Sequence, residues 1–139
     1  MKKGMAFLSV ILLLLALYAY GRNGSGNVSN VVVVPVQSDI YTDEDIDAAI
    51  KTVIKYFKRE FSGCTLKEIQ YIGDGAEESF NERAEHYKAD EAIILVSTFD
   101  VDSSGGDGSL NPNSTYDNWE WILIRNANGK WRHIDHGYG

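Results

Sequence analysis

Between Thr42 and Gly63 the apolar residues recur at helical spacing. Ile46, Ile50, Val53, Phe57 and Phe61 fall at intervals of four, three, four and four, one stripe along a helix. Thr42 is suited to cap its start, with Asp45 three residues on to complete a capping box. Asp43, Glu44, Asp45 and Asp47 crowd the positive end of the helix dipole, and Lys51, Lys55, Lys58 and Arg59 lie toward the negative end. Gly63 is the natural stop. The stripe reads as core packing rather than as a ligand-binding face.

Beyond Gly63 the pattern changes. Leu66 to Ile72 reads as a short strand and Gly73-Asp74-Gly75 as a turn. A second helix runs from about Glu77 to Tyr87, with Phe80, Ala84 and Tyr87 on one face and His86 at its solvated end. Glu91 to Val101 is apolar on both faces, as in a central strand covered on two sides. Trp119 to Arg125 and Trp131 to Tyr138 form a hairpin around Asn126-Ala127-Asn128-Gly129. Strict alternation places Trp119, Trp121, Leu123 and Arg125 on one face, joined by Arg132, Ile134, His136 and Tyr138. Glu120, Ile122 and Ile124 take the other face, with Trp131, His133 and Asp135. Helix, strand, helix and then three long strands make an α+β fold, an antiparallel sheet wrapped on helices.

The N-terminal stretch is of another kind. Lys2 and Lys3 precede an almost wholly apolar run from Met5 to Tyr20, an export signal. Ala19 and Gly21 fit a cleavage site, and the uncharged run from Gly4 to Gly21 is also long enough to serve as a membrane anchor. Both alternatives deliver the domain outside the cytoplasmic membrane. The expected organisation is a leader over 1–21, a flexible tether over 22–40 and a folded domain over 41–139. Within the tether, Val31 to Val36 is β-prone but interrupted by Pro35, as in an edge strand or an extended arm.

Charge narrows the partners. The chain has 20 acidic against 13 basic residues, and Lys2, Lys3 and Arg22 belong to the basic set, so the exported part is more acidic than the net −7. Such a surface repels phosphate backbones, which argues against nucleic acid, and leaves contact with a membrane to the N-terminal segment. Cys64 is the sole cysteine, so no disulfide forms within the chain. It reads as a small buried apolar residue.

Three groups carry candidate chemistry. The polar, glycine-rich loop from Asp102 to Asn118 holds Asp102, Asp107, Asp117, Asn111 and Asn113, hard oxygen ligands of the sort calcium takes, though not at the helix-loop-helix calcium spacing. The same side chains can bond their own backbone, with Gly105, Gly106 and Gly108 free to adopt positive φ. An ordered, self-bonded loop at a cavity mouth is the favoured reading, then a ligand or partner contact; calcium comes last, and no cofactor is expected. The second group is His133, Asp135 and His136. Alternation separates the two histidines onto opposite faces, and only a bulge would bring both to one metal. His136, beside Trp119, Trp121 and Tyr138, is either a general base in a pocket or a satisfied core histidine. The third group is aromatic: Tyr116, Trp119, Trp121, Trp131 and Tyr138 either line a pocket or fill a core. Ile122, Ile124 and Trp131 on the opposite face call for cover, which a sheet-to-sheet homodimer would provide. No Ser-His-Asp order, phosphate loop, dinucleotide fingerprint or CxxC pair occurs.

The order of elements resembles that of the cone-shaped, nuclear-transport-factor-2-like (cystatin-like) domains. The run from Phe99 to Tyr116, followed by Trp119 to Leu123, Trp131 and Gly137-Tyr138, resembles a family of uncharacterised exported, lipoprotein-like domains of Gram-positive bacteria. The resemblance covers about Tyr41 to Gly139. It implies an extracytoplasmic cone and carries over no catalytic residue. This chain departs from the lipoprotein pattern in having no cysteine after its apolar run. The expectation is a non-enzymatic module binding an extracellular ligand or protein through Asp102, Asp107, Asn111, Asn113, Tyr116, Trp119, Trp121 and Tyr138. The alternative is a small hydrolase or isomerase using His136 and a carboxylate in the cone pocket.

Overall fold

The computed structural model describes residues 25–127 and 129–138, so the leader lies outside the described residues. The elements in chain order are β1 (Val32–Val34), α1 (Asp43–Glu60), β2 (Cys64–Tyr71), a 3-10 turn at Asp74–Ala76, α2 (Glu77–His86), β3 (Glu91–Val101), β4 (Thr115–Arg125) and β5 (Arg132–Tyr138). The strands form one open, mixed sheet in the order β1-β2-β3-β4-β5. Among the described residues no helix is long and apolar enough to cross a membrane.

Helix α1 forms as its pattern dictates. The Thr42 hydroxyl accepts from the Asp45 N–H at 3.1 Å, and the Asp45 carboxylate answers the Thr42 N–H at 3.4 Å. Ile46, Ala49, Ile50, Val53 and Phe57 are buried. Phe57 meets Phe99 of β3 edge-on at 5.6 Å, so the stripe lies on the sheet face that carries Trp121. At the other end Phe61 donates its N–H to the Phe57 carbonyl, and Gly63 turns the chain at φ 73°.

One ion pair fastens the start of α1 to the sheet. Arg125, 8% exposed, donates from Nη1 to Asp45 Oδ1 at 2.8 Å and from Nε to Glu91. Its guanidinium stacks 4.2 Å over Trp131, whose Nε1–H donates to the Asp45 carbonyl at 3.0 Å. Asp45 therefore closes the helix cap and neutralises a buried cation together. That bond from Arg125 holds the Asp45 carboxyl below its ordinary range.

The sheet is mixed where alternation led us to expect antiparallel pairing throughout. β1 runs parallel to β2, Val32 beside Glu68 and Val34 beside Gln70. The cause is the connection: α1 carries the chain back across the sheet, so the next strand starts at the same end as β1. Residues 25–30, expected to be a flexible tether, are tied down as well. Gly26 donates to the Lys58 carbonyl, Asn27 donates to that of Cys64, and Leu66 donates back to Asn27. A Cβ on Gly26 would lie 2.4 Å from the Phe57 carbonyl oxygen, so only glycine permits this approach.

Two further differences shape the site. β4 starts at Thr115, four residues earlier than the apolar alternation showed, because Thr115 pairs with Asp100 and Tyr116 with Phe99 before an irregularity interrupts the ladder. Asn118 sits there at φ 55°, and the disturbed period hides the strand. The loop proper is thus 102–114. The second difference concerns cover. Ile122, Ile124 and Trp131 are 3–6% exposed within the single chain. Ala84 of α2 packs with Ala92 and Ile124, while Trp131 lies against Tyr41. The cover that motivated a sheet-to-sheet dimer is supplied internally.

Candidate functional site

The site begins with one extra residue in β5. Trp121 pairs with His136 and Ile122 with Asp135, but Leu123 pairs with His133, so Ile134 has no partner of its own. A bulge of this kind flips the alternation beyond it. His133, assigned by strict alternation to the face of Glu120, therefore moves to the tryptophan face beside His136. The two rings lie nearly parallel, with His136 Nδ1 3.1 Å from His133 Nε2.

The imidazole pair is packed under the C-terminal half of α1. Tyr56 covers His133 at 4.1 Å between ring centroids and His136 at 5.8 Å. Phe61 stands edge-on to His136 at 5.3 Å, and Trp121 lies 5.1 Å away beneath. Burial is the main cause that holds both imidazoles below the usual histidine range, His133 down to about 4. For His133 the charge of His136 adds to the effect; the Asp135 carboxylate opposes it for both rings.

His136 opens onto a cleft of about 230 Å³ between the end of α1, the start of β2 and the 102–114 loop. Tyr56, Glu60 and Phe61 line it from α1, Ser62 and Cys64 from the turn into β2, and Gly106, Asp107, Ser109 and Leu110 from the loop; Trp119 closes it. Trp119 Nε1–H is buried and has no acceptor among the described residues. Glu60 is paired with Arg59 Nε at 2.9 Å. Burial, then the charges of Asp102 and Asp107, push the Cys64 thiol up to about 11, so it is a thiol and not a nucleophilic thiolate at neutral pH.

The loop is built from two short self-bonded turns. Asp102 Oδ1 accepts from the Ser104 N–H and hydroxyl, and Asp107 Oδ1 accepts from the Ser109 N–H and hydroxyl. The serine hydroxyl is the first cause, and the backbone N–H the second, that holds each carboxyl below its ordinary range. Asn113 N–H returns to the Asp102 carbonyl at 2.9 Å, and Asn111 N–H donates to the Tyr116 hydroxyl at 3.0 Å. These bonds use the loop's oxygens on the loop itself. Among the described residues no group of three or more His, Cys, Asp or Glu could hold a metal ion.

The expected binding residues are thus divided. Asp107 and Trp119 reach the cleft together with His136. Asp102 lines an adjoining groove with Ser25 and Ser104. Tyr116 is 7% exposed and stacks on Phe99, so it supports the loop from below. Trp121 is fully buried with its Nε1–H on Ser97 Oγ at 2.8 Å, a core residue with no face for a ligand. Tyr138 is 65% exposed on the outer side of Tyr116, while Asn111 and Asn113 are exposed on the loop but not in the cleft lining. Sequence reasoning missed Tyr56 and Glu60. Their signal was present: both lie on the α1 flank adjoining Phe57 and Phe61, within about two turns of the stop at Gly63. No family model, curated protein or solved structure matches the chain.

Proposed function

We propose that this is an exported or membrane-anchored domain that binds a small polar ligand, or a polar tip of a partner, in the cleft beneath the 102–114 loop. The single observation that carries the reading is the cleft of about 230 Å³ itself, whose wall brings together Glu60, Asp107, Ser62, Ser109 and the His136 imidazole. A long helix across a thrice-bulged sheet supports, at the finer level, a cone of nuclear-transport-factor-2-like shape. The apolar N-terminal run supports an extracytoplasmic setting, and the resemblance of the run from Phe99 to Tyr116 to exported domains supports a Gram-positive one.

The test is a thermal-shift screen of the full chain against calcium, other divalent ions, metabolites and glycans. A ligand of the folded state raises the melting temperature by mass action, and the rise is lost in Asp107→Ala. If no compound raises it, and crosslinked partners of the wild type all persist in Asp102→Ala/Asp107→Ala, the cleft is not the site.

A second reading is favoured by one observation: His136 lines a solvent-connected cleft that also holds Glu60 and Asp107. A general base needs that access and a neutral resting state, and burial of the ring keeps it neutral near pH 7. Hydrolysis or isomerisation would then depend on His136. A hydrolase and isomerase substrate panel giving equal rates for wild type and His136→Gln would remove this reading.

A further inference from the structure

The histidine pair joins two openings on either side of Tyr56. His136 lines the cleft described above, and His133 lines a second hollow with Thr52, Lys55, Tyr56 and Arg59. Between them is a single nitrogen-to-nitrogen contact of 3.1 Å. Such a contact needs one proton between the two nitrogens; with a proton on each, the contact is lost. The order of protonation follows from the surroundings. His136 faces the cleft with Glu60 and Asp107, whereas His133 faces Lys55 and Arg59. The Asp135 carboxylate is the one nearby charge on their own strand that favours the cationic form of both rings, and the Cys64 thiol brings no charge at neutral pH.

We propose that His133 and His136 form a two-step proton switch for the cleft: His136 takes the first proton with the pair intact, and the second, on His133, parts the rings and loosens β5 from α1. In the first step His136 keeps Nδ1–H donated to His133 Nε2 and gains its proton on Nε2. The cleft wall becomes cationic while the fold is unchanged. In the second step His133 Nε2 gains a proton facing the His136 N–H. The contact turns repulsive, and the ring packing of Tyr56 on both histidines goes with it. β5 stays held just before its first residue, where Trp131 donates to the Asp45 carbonyl. The effect of the His136 charge on His133 agrees with this order.

The switch deepens the proposed ligand site by giving it a regulator, and it is read without any ligand. The experiment follows the ring nitrogens of the full chain by NMR from pH 8 to pH 3.5, with added free imidazole as internal reference. The expected result is that His136 titrates before His133, with Nδ1 of His136 protonated throughout. Tyr56 and Ile134 signals move only in the last step. In His136→Asn, His133 takes its proton at higher pH than in the wild type. A single shared step for both rings at the pH of free imidazole would overturn the proposal, as would Tyr56 and Ile134 signals that stay fixed through both steps. A ligand screen that finds nothing at any pH would remove the binding site and leave the switch standing.

Discussion

At the scale of single residues, Arg125 has the largest expected effect. Its side chain is 9% exposed and holds Asp45 and Glu91, which are themselves partly solvated. Removing a buried partner strands its counter-charges, but water reaches these carboxylates and reduces the cost. Arg125→Ala is expected to destabilise the fold by about 2–3 kcal/mol, read from urea unfolding. Arg125→Lys restores only part of this, because an ammonium cannot serve both acids and stack on Trp131. The histidines give a pH effect of known sign. Their folded values lie below 6.5, His133 at about 4, so the unfolded chain binds protons first. Stability is full above pH 6.5 and falls as pH drops from there toward 4. The double variant His133→Asn/His136→Asn should lose this slope and retain the later loss in which carboxyls such as Asp45 are protonated.

At the scale of elements, legibility followed the regularity of the backbone. α1 was readable down to its cap because Thr42, Asp45 and the apolar stripe all point to one helix. β3 was readable end to end because both of its faces are apolar. The failures coincide with bulges. Alternation assumes two residues per repeat, so the unpaired Ile134 moved His133 to the wrong face and the break at Asp117–Asn118 concealed four residues of β4. The contact between His133 and His136 was missed for the same reason: it exists only because the period fails. The 102–114 loop was legible in its chemistry, since Asp102 and Asp107 do bond their own turns, but not in what it packs against. Gly105 is its tightest point, at φ 73°, where a Cβ would lie 2.8 Å from the Leu110 carbonyl oxygen. Gly105→Ala is expected to cost about 1–3 kcal/mol in thermal unfolding. It should also raise amide exchange from Gly106 to Leu110 with that of β3 unchanged.

At the scale of the whole molecule, composition misplaced the domain's edge. Polar residues with glycine and serine read as a tether, yet Gly26 and Asn27 are hydrogen-bonded to α1 and β2. What composition cannot register is a close backbone approach, which requires an absent side chain and not an apolar one. A chain starting at Val31 is expected to melt several degrees below one starting at Ser25, because it exposes Phe57 and frees the carbonyls of Lys58 and Cys64.

The strap at Gly26 and Asn27 also fixes a direction. Ser25 lies in the groove with Asp102 and Ser104, and that groove shares Ser62 and Cys64 with the cleft. The junction toward the leader therefore lies at the cleft end of the molecule, away from the α2 side. For a chain retained as an anchor, this is a hypothesis about orientation: the cleft would face the bilayer. A fluorophore at Ser109→Cys should then be quenched by lipid-borne quenchers more than one at Glu82→Cys, and equal quenching would sink the idea.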